Sequence, residues 1–414
     1  MIRGEPRVPD ARPSAWAAFA YRDFALLWGG LLVSNLGTWM QFTALGYYVA
    51  SLAPDARVGA LDIGLIGAAR AVPVLLLSPF AGVVADRYPR RRVLFITNSM
   101  TSLLSFSLFA LVATAHAPLW TLMIVSALQA GTQSFDAPAR QSWVPLMVPR
   151  EFVGGAIGLN SVAFNAPSVV GPPLAGLLIA GIGVAPCFLV NAATTLAVLA
   201  ALSFMKPAPP SSRRRGNVVE AIVEGVRFLI GHPVLRWVVL LLVVTSLTIR
   251  PYNFLLPAYA LHVVHTNALG LGWLMAASGA GAICGAFFTA ASGDDRRGII
   301  WAVSAVVAAA GVAALGLTSH LGVAAAILGV VGLATLSFIG SSNILLQTLA
   351  PDEMRGRVVS VYSMILLGLV PLGSLIVGSI AAVFELRWTF VAAGLLACAI
   401  ALGVAFTQPE VRDA

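Results

Sequence analysis

The sequence predicts an all-α membrane protein whose twelve transmembrane helices form two pseudo-symmetric six-helix bundles. Three observations predict this fold class. The chain of 414 residues is 59% hydrophobic and only 10% charged, long apolar runs recur along its whole length, and its two halves resemble each other. A soluble protein of this length needs a more charged surface, whereas a bilayer accepts apolar helices because each satisfies its own backbone hydrogen bonds.

Twelve apolar runs are long enough to cross about 30 Å of hydrocarbon, and we interpret them as the membrane spans. In the first half they are 24–49, 61–85, 93–115, 119–135, 153–180 and 184–205. In the second half they are 235–259, 271–292, 299–318, 321–349, 358–383 and 388–406. The predicted organisation is a cytoplasmic tail 1–23, an N-terminal bundle 24–205, a linker 206–233, a C-terminal bundle 234–407 and a cytoplasmic tail 408–414.

The linker opens with several prolines and a run of three arginines, which is typical of an extended connection. After it, Val218, Ile222, Val226 and Leu229 recur at helical spacing. This pattern predicts a short amphipathic helix on the cytoplasmic surface.

Basic residues set the predicted orientation. The formal net charge is +8, and nearly all arginines fall in loops on one side of the predicted spans. The positive-inside rule then puts both termini in the cytoplasm. Because the clusters lie between apolar runs, we expect anionic lipid headgroups rather than nucleic acid as their partner.

The two halves share a sequence pattern. The stretch 148–154 before the fifth span resembles 350–356 before the eleventh. At the same offset, Ser161 corresponds to Ser363, Gly171 to Gly373 and Gly176 to Gly378. Two six-helix repeats around a central pathway are typical of transporters.

The loop after span two predicts a gate. Gly82 allows two helices to approach closely, and Asp86 stands where a carboxylate can meet a helix N-terminus or a cation of the opposite half. Arg87, Arg90 and Arg91 follow it and are placed to hold anionic lipid. We interpret this loop as a latch that stabilises the state closed to the cytoplasm, with a topology determinant as the alternative.

A second charged motif ends span four. Asp136 and Arg140 are four residues apart on one helix face, and Pro138 lies between them. They are candidates for a breakable gate together with Asp86, and a local ion pair is the alternative.

These motifs resemble the major facilitator superfamily from Phe24 onward. Within that superfamily the chain is similar to the branch of bacterial enterobactin exporters and macrolide-efflux proteins. The residues that carry this likeness lie in 34–41, 82–92, 136–141, 232–236, 249–252 and 257–258. The resemblance implies the major facilitator fold, alternating access and export across the bacterial inner membrane by a monomer. The prolines and glycines of 165–176 in span five resemble in part the motif of facilitator-type antiporters.

Two arginines lie inside predicted spans, where a charge is costly and tends to mark a pathway. Arg70 is in span two and Arg250 in span seven. We interpret both as binding an anionic or oxygen-rich group with their rigid fork of donors, while snorkelling or a structural hydrogen bond is the alternative. Further candidates for substrate binding are Asn253, Tyr252, Gln41, Trp39, Gln129 and Asn165, for which interhelical contacts are the alternative.

Proton coupling has two candidate residues, Asp136 and Asp62, because no carboxylate falls at the centre of a predicted span. The sequence contains no nucleotide-binding loop, metal cluster or catalytic triad. We therefore expect no enzyme activity and no cofactor, and an ion gradient as the source of energy.

The predicted function is secondary active export of a small organic molecule, such as a siderophore, by alternating access, with protons as the coupling ion. A multidrug or macrolide efflux pump is the first alternative, because it uses the same fold. A lysolipid-handling membrane protein is the second, and it would need an apolar cleft that opens to the side.

Overall fold

The computed structural model describes residues 15–115, 117–205, 218–292 and 297–412, which fold into helices joined by short turns. The first half contains α1 (Arg22–Leu52), α2 (Ala56–Arg87), α3 (Arg90–Ala113), α4 (Leu119–Trp143), α5 (Val153–Ile182) and α6 (Ala185–Phe204). After the linker helix α7 (Val218–Gly231) follow α8 (Leu235–Thr248), α9 (Tyr252–His262), α10 (Ala268–Ala291), α11 (Arg297–Leu317), α12 (Leu321–Thr348), α13 (Asp352–Met364), α14 (Val370–Phe384), α15 (Leu386–Thr407) and α16 (Pro409–Arg412). Short 3₁₀ helices cover Ala15–Ala20, Val144–Leu146 and Arg150–Phe152.

Nine helical segments of the described chain are long and apolar enough to cross a membrane by length and composition. Three further helical segments are long enough to cross a membrane but have a more polar composition. They are α1 with 31 residues, α4 with 25 residues, and the rod formed by α13 and α14. Together these segments account for the twelve spans that the sequence predicts.

Two spans predicted as regular helices are irregular. Span seven is divided into α8 and α9 by a turn at 249–251, where the N–H of Arg250 donates to the carbonyl of Thr245 at 2.9 Å. Pro251 follows, and a proline does not donate to the helical ladder. Span eleven is α13 and α14 joined by a π-helical turn, Ile365–Leu369. Such turns are often found at functional sites.

The predicted linker helix is present as α7, and it packs on the second half. Leu229 is buried, and Gly225 lies against the backbone of Arg357 on α13. A carboxylate oxygen of Glu224 lies 2.6 Å from the guanidinium of Arg357. The side chains of Val218 and Ile222 lie outside the described part of the structure. The position of α7 on the membrane surface stays a prediction.

The spans pack into two halves. In the first half, α1 packs on α5 and α6, α2 packs on α4, and α3 packs on α4 and α6. In the second half, α10 and α11 pack on α12, and α11 also packs on α15. The halves meet along two seams, α2 against α14 and α5 against α10.

Glycines allow the helix backbones to approach closely at both seams, and these glycines occupy corresponding positions in the two halves. Gly176 of α5 lies against the backbone of Ala268, and Gly378 of α14 lies against the backbone of Ala60. A Cβ at Gly378 would stand 2.5 Å from the carbonyl oxygen of Ala60, so no larger residue fits without displacement. The repeat seen in the sequence therefore reappears as matched contacts between the halves.

The two ends of the bundle differ. One apolar core includes Ile63 of the first half together with Tyr259 and Val377 of the second. We call this the closed end. At the opposite end each half has its own core, around Trp143 in the first half and Trp301 in the second. We call this the open end, because the halves there do not share an apolar core.

Polar contacts add to the closed end. Arg57 of α2 and Glu385, before α15, form an ion pair of 3.0 Å across the halves. Nε2 of His262 lies 2.9 Å from the carbonyl oxygen of Ala50 on α1. Asp55 caps α2 by accepting the N–H groups of Arg57 and Val58, both at 2.9 Å, and the bond from Val58 is the main cause that lowers the pKa of Asp55.

Candidate functional site

Arg70 lies midway along α2 and borders the space between the halves. Its Nη2 donates to Oε1 of Gln133 on α4 at 3.5 Å, a long hydrogen bond. Its side chain also lines a cavity of about 30 Å³ with Phe42 of α1 and with Phe254 and Pro257 of α9. Among the described residues no carboxylate lies within ion-pair distance of this guanidinium.

Arg250 sits in the turn that divides span seven. Its Nη1 donates to the carbonyl oxygen of Leu366 at 3.3 Å, and Leu366 belongs to the π-helical turn of span eleven. The two irregular spans are therefore joined through this side chain. Like Arg70, Arg250 forms no ion pair within the described part of the chain.

The two arginines lie at a similar depth in the bundle. On α2, Gly67 contacts Pro371 and Ser374 of α14, and Leu75 contacts Gly368. Arg70 lies between Gly67 and Leu75, so its level on span eleven falls between 368 and 371. Leu366, which Arg250 contacts, is five residues from Pro371, or roughly 8 Å along a helix axis. The fold thus brings the two predicted cations, one from each half, to within roughly 8 Å in depth.

An aromatic set next to the arginines was missed from the sequence. The rings of Phe42 on α1 and Phe254 on α9 meet edge to face with centroids 5.3 Å apart, across the two halves. Trp39 packs on Phe42 in the same way at 5.6 Å. Trp39 was predicted as a substrate contact, but nothing in the sequence separates Phe42 and Phe254 from other apolar residues of their spans.

Gln41 and Gln129, two predicted substrate contacts, are buried inside the first half instead. Nε2 of Gln41 donates to Oε1 of Gln129 at 2.8 Å, and Nε2 of Gln129 donates to Ser105 at 3.2 Å. Asn191 donates to both Gln41 and Ser105, at 2.9 and 3.0 Å. This amide network joins α1, α3, α4 and α6, so these side chains hold helices together in this conformation.

The other predicted substrate contacts differ in their burial and in their hydrogen-bond partners. Tyr252 is buried, and its hydroxyl shares a hydrogen bond of 2.7 Å with Ser278 on α10. Asn165 is exposed on α5 and donates to the carbonyl of Ser161 on its own helix at 2.8 Å. Asn253 is half-buried next to the turn of span seven, and the described residues give its side chain no hydrogen bond. Of these, Asn253 is the one free to contact a ligand beside Arg250.

The predicted latch has no described contact across the halves. Nε of Arg90 donates to Ser142 of α4 at 2.9 Å, and Arg91 donates to the carbonyl of Ser203 at 3.0 Å, so both bind their own half. Arg87 is exposed. The side chain of Asp86 and the surroundings of Gly82 lie outside the described part of the structure.

Asp136 and Arg140 form the predicted ion pair, with Nε of Arg140 at 3.4 Å from Oδ2 of Asp136. Oδ1 of Asp136 also accepts from Thr97 at 3.2 Å and from Asn98 at 2.9 Å. The guanidinium of Arg140 stacks on the ring of Phe164 of α5, with Cζ 3.9 Å from the centroid. This cluster ties α3, α4 and α5 together at the open end of the first half.

Asp62 is half-buried in α2 near the closed end, and the described residues offer it no hydrogen bond or ion pair. No group of three or more His, Cys, Asp or Glu side chains that could hold a metal ion occurs in the described ranges.

Comparison with known proteins gives a match over nearly the whole chain. The family model described as "Transmembrane secretion effector" matches residues 13–414. The multidrug efflux pump Tap of Mycolicibacterium fortuitum is 28% identical, covering 86% of this chain and 88% of Tap. The staphyloferrin A transporter of Staphylococcus aureus is 26% identical over 91% of this chain and 94% of its own length. The enterobactin exporter EntS of Citrobacter koseri is 27% identical over 72% of this chain and 70% of EntS.

Solved structures show the same fold. A bacterial homologue of the human lysosomal transporter Spinster, in an inward-facing and unoccupied conformation, has a TM-score of 0.72. It is 17% identical and covers 95% of this chain and 99% of its own. A POT family transporter in complex with 5-aminolevulinic acid has a TM-score of 0.75 at 12% identity, covering 94% of this chain and 96% of its own.

Proposed function

The chain belongs to the transmembrane secretion effector family of major facilitator transporters, and from this we propose that it exports a small anionic or oxygen-rich organic molecule, such as a siderophore. It is a multi-pass membrane transporter and not an enzyme. The relatives include an enterobactin exporter and a staphyloferrin A transporter, which supports this class of cargo.

The observation that carries the proposal is the pair Arg70 and Arg250. Arg70 borders a cavity lined by both halves, Arg250 lies within roughly 8 Å of its level, and neither has a carboxylate partner among the described residues. An unpaired charge at the centre of a membrane helix costs about 2.5–3.5 kcal/mol on insertion scales. A cargo with carboxylate or catecholate oxygens would offset that cost with charge-assisted hydrogen bonds. Asn253 supplies a further polar contact beside Arg250.

We propose alternating access as the mechanism, with this conformation open at one end. The closed end would separate when the halves rock, and the open end would close as the Asp86 latch meets the second half. The 82–91 loop and the Asp136–Arg140 cluster lie at that end. The division into bundles 24–205 and 234–407 supplies the two rigid bodies that such rocking needs.

We also propose the bacterial inner membrane as the location, with both termini and the open end in the cytoplasm and with a monomer as the working unit. The arginine clusters of the open-end loops support this orientation, because positive loops stay cytoplasmic. Anionic headgroups would be their partners.

Protons are the proposed coupling ion, and Asp62 is the better of the two candidate carriers. Asp136 is held by Thr97, Asn98 and Arg140, whereas Asp62 has no hydrogen bond from the described residues. Asp62→Asn should abolish accumulation driven by a proton gradient but keep exchange of cargo between equal pools. Asp136→Asn should keep proton-driven transport. Proton-driven accumulation by Asp62→Asn at the wild-type rate would exclude this carrier.

The direct test of the cargo uses the purified chain in proteoliposomes with an imposed proton gradient. An anionic siderophore, a macrolide and a cationic dye are offered in turn. We expect transport of the siderophore, and a loss of roughly 10-fold or more in transport efficiency for Arg70→Gln and for Arg250→Gln, because each removes a hydrogen bond to a charged group. Arg387→Gln is the matched control, since Arg387 donates to the carbonyl of Gly316 at the closed end. Equal transport by all four proteins would refute the proposal.

A multidrug efflux pump is the second candidate, and it is favoured by Tap and by the aromatic set Trp39, Phe42 and Phe254. Aromatic rings bind lipophilic molecules without selecting for charge. Under this reading Phe254→Ala would reduce transport of the macrolide, and the two arginine variants would leave it unchanged. The same proteoliposome assay therefore separates the two candidates.

A further inference from the structure

An apolar groove opens on the side of the first half, separate from the cavity that Arg70 lines. It has a volume of about 1050 Å³ and is formed by α2, α3 and α4. Six exposed apolar side chains represent its lining: Val72, Leu76, Ile96, Met100, Ile124 and Leu128. Apolar side chains exposed on a membrane helix are solvated by the hydrocarbon of the bilayer. We therefore expect these residues to face lipid.

The groove has a basic and polar rim at one end. Arg92 and Tyr88 line it there, and both are exposed. Arg87 is exposed in the same loop, and Arg91 is half-exposed next to Arg92. The remainder of the lining that the structure describes is apolar apart from the hydroxyls of Thr97 and Thr132. The groove is thus apolar along its length and cationic at its open-end rim.

Its length fits a lipid tail. On α2 the lining runs from Ala69 to Val84, and on α4 from Met123 to Phe135. At 1.5 Å per residue these stretches measure about 22 Å and 18 Å. One leaflet contributes about 15 Å to the hydrocarbon thickness. A groove of this length accommodates an acyl chain whose headgroup stays at the rim.

We propose that this groove is a binding site for an anionic phospholipid, with an acyl chain between α2, α3 and α4 and the phosphate held by Arg92. A guanidinium binds phosphate through a bidentate fork, and Tyr88 presents a hydroxyl at the level of the headgroups. The bound lipid packs against α2, which also forms the seam with α14. Its headgroup charge therefore acts on the stability of a helix that takes part in the contact between the halves.

The groove is not proposed as a pathway for transported lipid. All its lining residues belong to the first half, whereas a transport pathway needs both halves to alternate around it. Arg70 follows the lining residue Ala69 but contacts Gln133 and the cavity with Phe254. The groove and the arginine site are thus separate cavities, although both border α2.

The test uses the purified full chain and a phosphatidylglycerol that carries a photoactivatable group in its acyl chain. After irradiation, peptides from α3 and α4 that contain 93–100 and 123–128 should carry the label. Unlabelled phosphatidylglycerol should compete at least fivefold better than phosphatidylcholine with the same chains. Arg92→Gln should weaken binding about fivefold, the effect expected for one basic residue near an anionic lipid.

Matched variants decide the outcome. Arg150→Gln changes an exposed arginine outside the groove and should leave labelling unchanged. Ala127→Phe narrows the groove and should remove the label, while Ala110→Phe at an exposed position of α3 outside the groove should keep it. Equal competition by the two lipids, an equal effect of Arg92→Gln and Arg150→Gln, or displacement of the label by transported cargo would overturn the proposal. The surface change Arg92→Gln serves if Ala127→Phe does not fold.

Discussion

Buried polar side chains of the first half have two different roles at the scale of single residues. Gln41, Gln129 and Asn191 satisfy one another, whereas Arg70 has a single long hydrogen bond from its five N–H donors. A satisfied amide in a membrane protein stabilises helix packing, and an unsatisfied cation is available for a ligand. The distinction depends on partners and not on residue type.

Gln129→Leu tests the structural role of the amide network. The change removes the acceptor of the Gln41 Nε2 group and one of the two hydrogen bonds to Ser105, which should destabilise the protein by about 1–2 kcal/mol and lower its melting temperature by a few degrees. The cargo preference of the folded protein should stay as in the wild type. Gln347→Leu is the matched control, because Gln347 is exposed. A changed cargo preference with unchanged stability would instead assign Gln129 to substrate binding.

Sequence alone identified the arginines but not their aromatic neighbours. Arg70 and Arg250 stand out because a charge within an apolar run is rare. Phe42 and Phe254 lie in apolar runs where an aromatic residue is ordinary, and only the packing of α1 against α9 brings their rings together. The partners of Gln41 on other spans were hidden for the same reason, since they are 88 and 150 residues away in sequence.

At the scale of helices, length and apolar composition were sufficient to find the spans, but not their irregularities. Span seven was predicted as one helix, although Pro251 stands next to Arg250 where the structure divides it. The π-helical turn Ile365–Leu369 lies just before Pro371, which has no N–H to donate to the carbonyls of that turn. A proline shows where a helix can be irregular but not which irregular turn forms, and Gly368 of this turn lies against Leu75 of α2.

The glycine contacts of the seams make a prediction about conformation. Gly378→Leu places a side chain where a Cβ already meets the carbonyl oxygen of Ala60, so α2 and α14 must separate at the closed end. We expect the closed end to open, as measured by the distance between spin labels on the exposed positions Ser51 and Trp388. Gly181→Leu is the control, because Gly181 of α5 has nothing within 4 Å of its ideal Cβ. Unchanged distances in Gly378→Leu would mean that this contact does not hold the two halves together at the closed end.

On the scale of the whole molecule, the protein combines one shared core at the closed end with two separate cores at the open end. This asymmetry is what a rocking movement of two rigid halves would produce. The ion pair of Arg57 and Glu385 bridges the halves at the closed end but is exposed, so it contributes at most about 1 kcal/mol. Apolar contacts, and not this ion pair, stabilise the closed end.

Cross-linking the closed end should stop transport. In a background without Cys187, Cys284 and Cys398, Arg57→Cys and Glu385→Cys would be joined by a short cleavable thiol linker. We expect transport to fall to the background rate, because the halves can no longer separate at that end, and to return when the linker is cleaved. Either single cysteine variant treated with the same linker should transport normally. Persistent transport by the cross-linked protein would contradict alternating access.

Two spans of the second half are divided by a turn, whereas their counterparts in the first half are single helices. Span one corresponds to span seven and is α1. Span five corresponds to span eleven and is α5, which stays one helix although it contains Pro167, Pro172 and Pro173. The sequence repeat therefore does not extend to these two turns, which the hydrogen bond from Arg250 to Leu366 connects. A cargo anion that draws this guanidinium away from Leu366 would break the connection between spans seven and eleven.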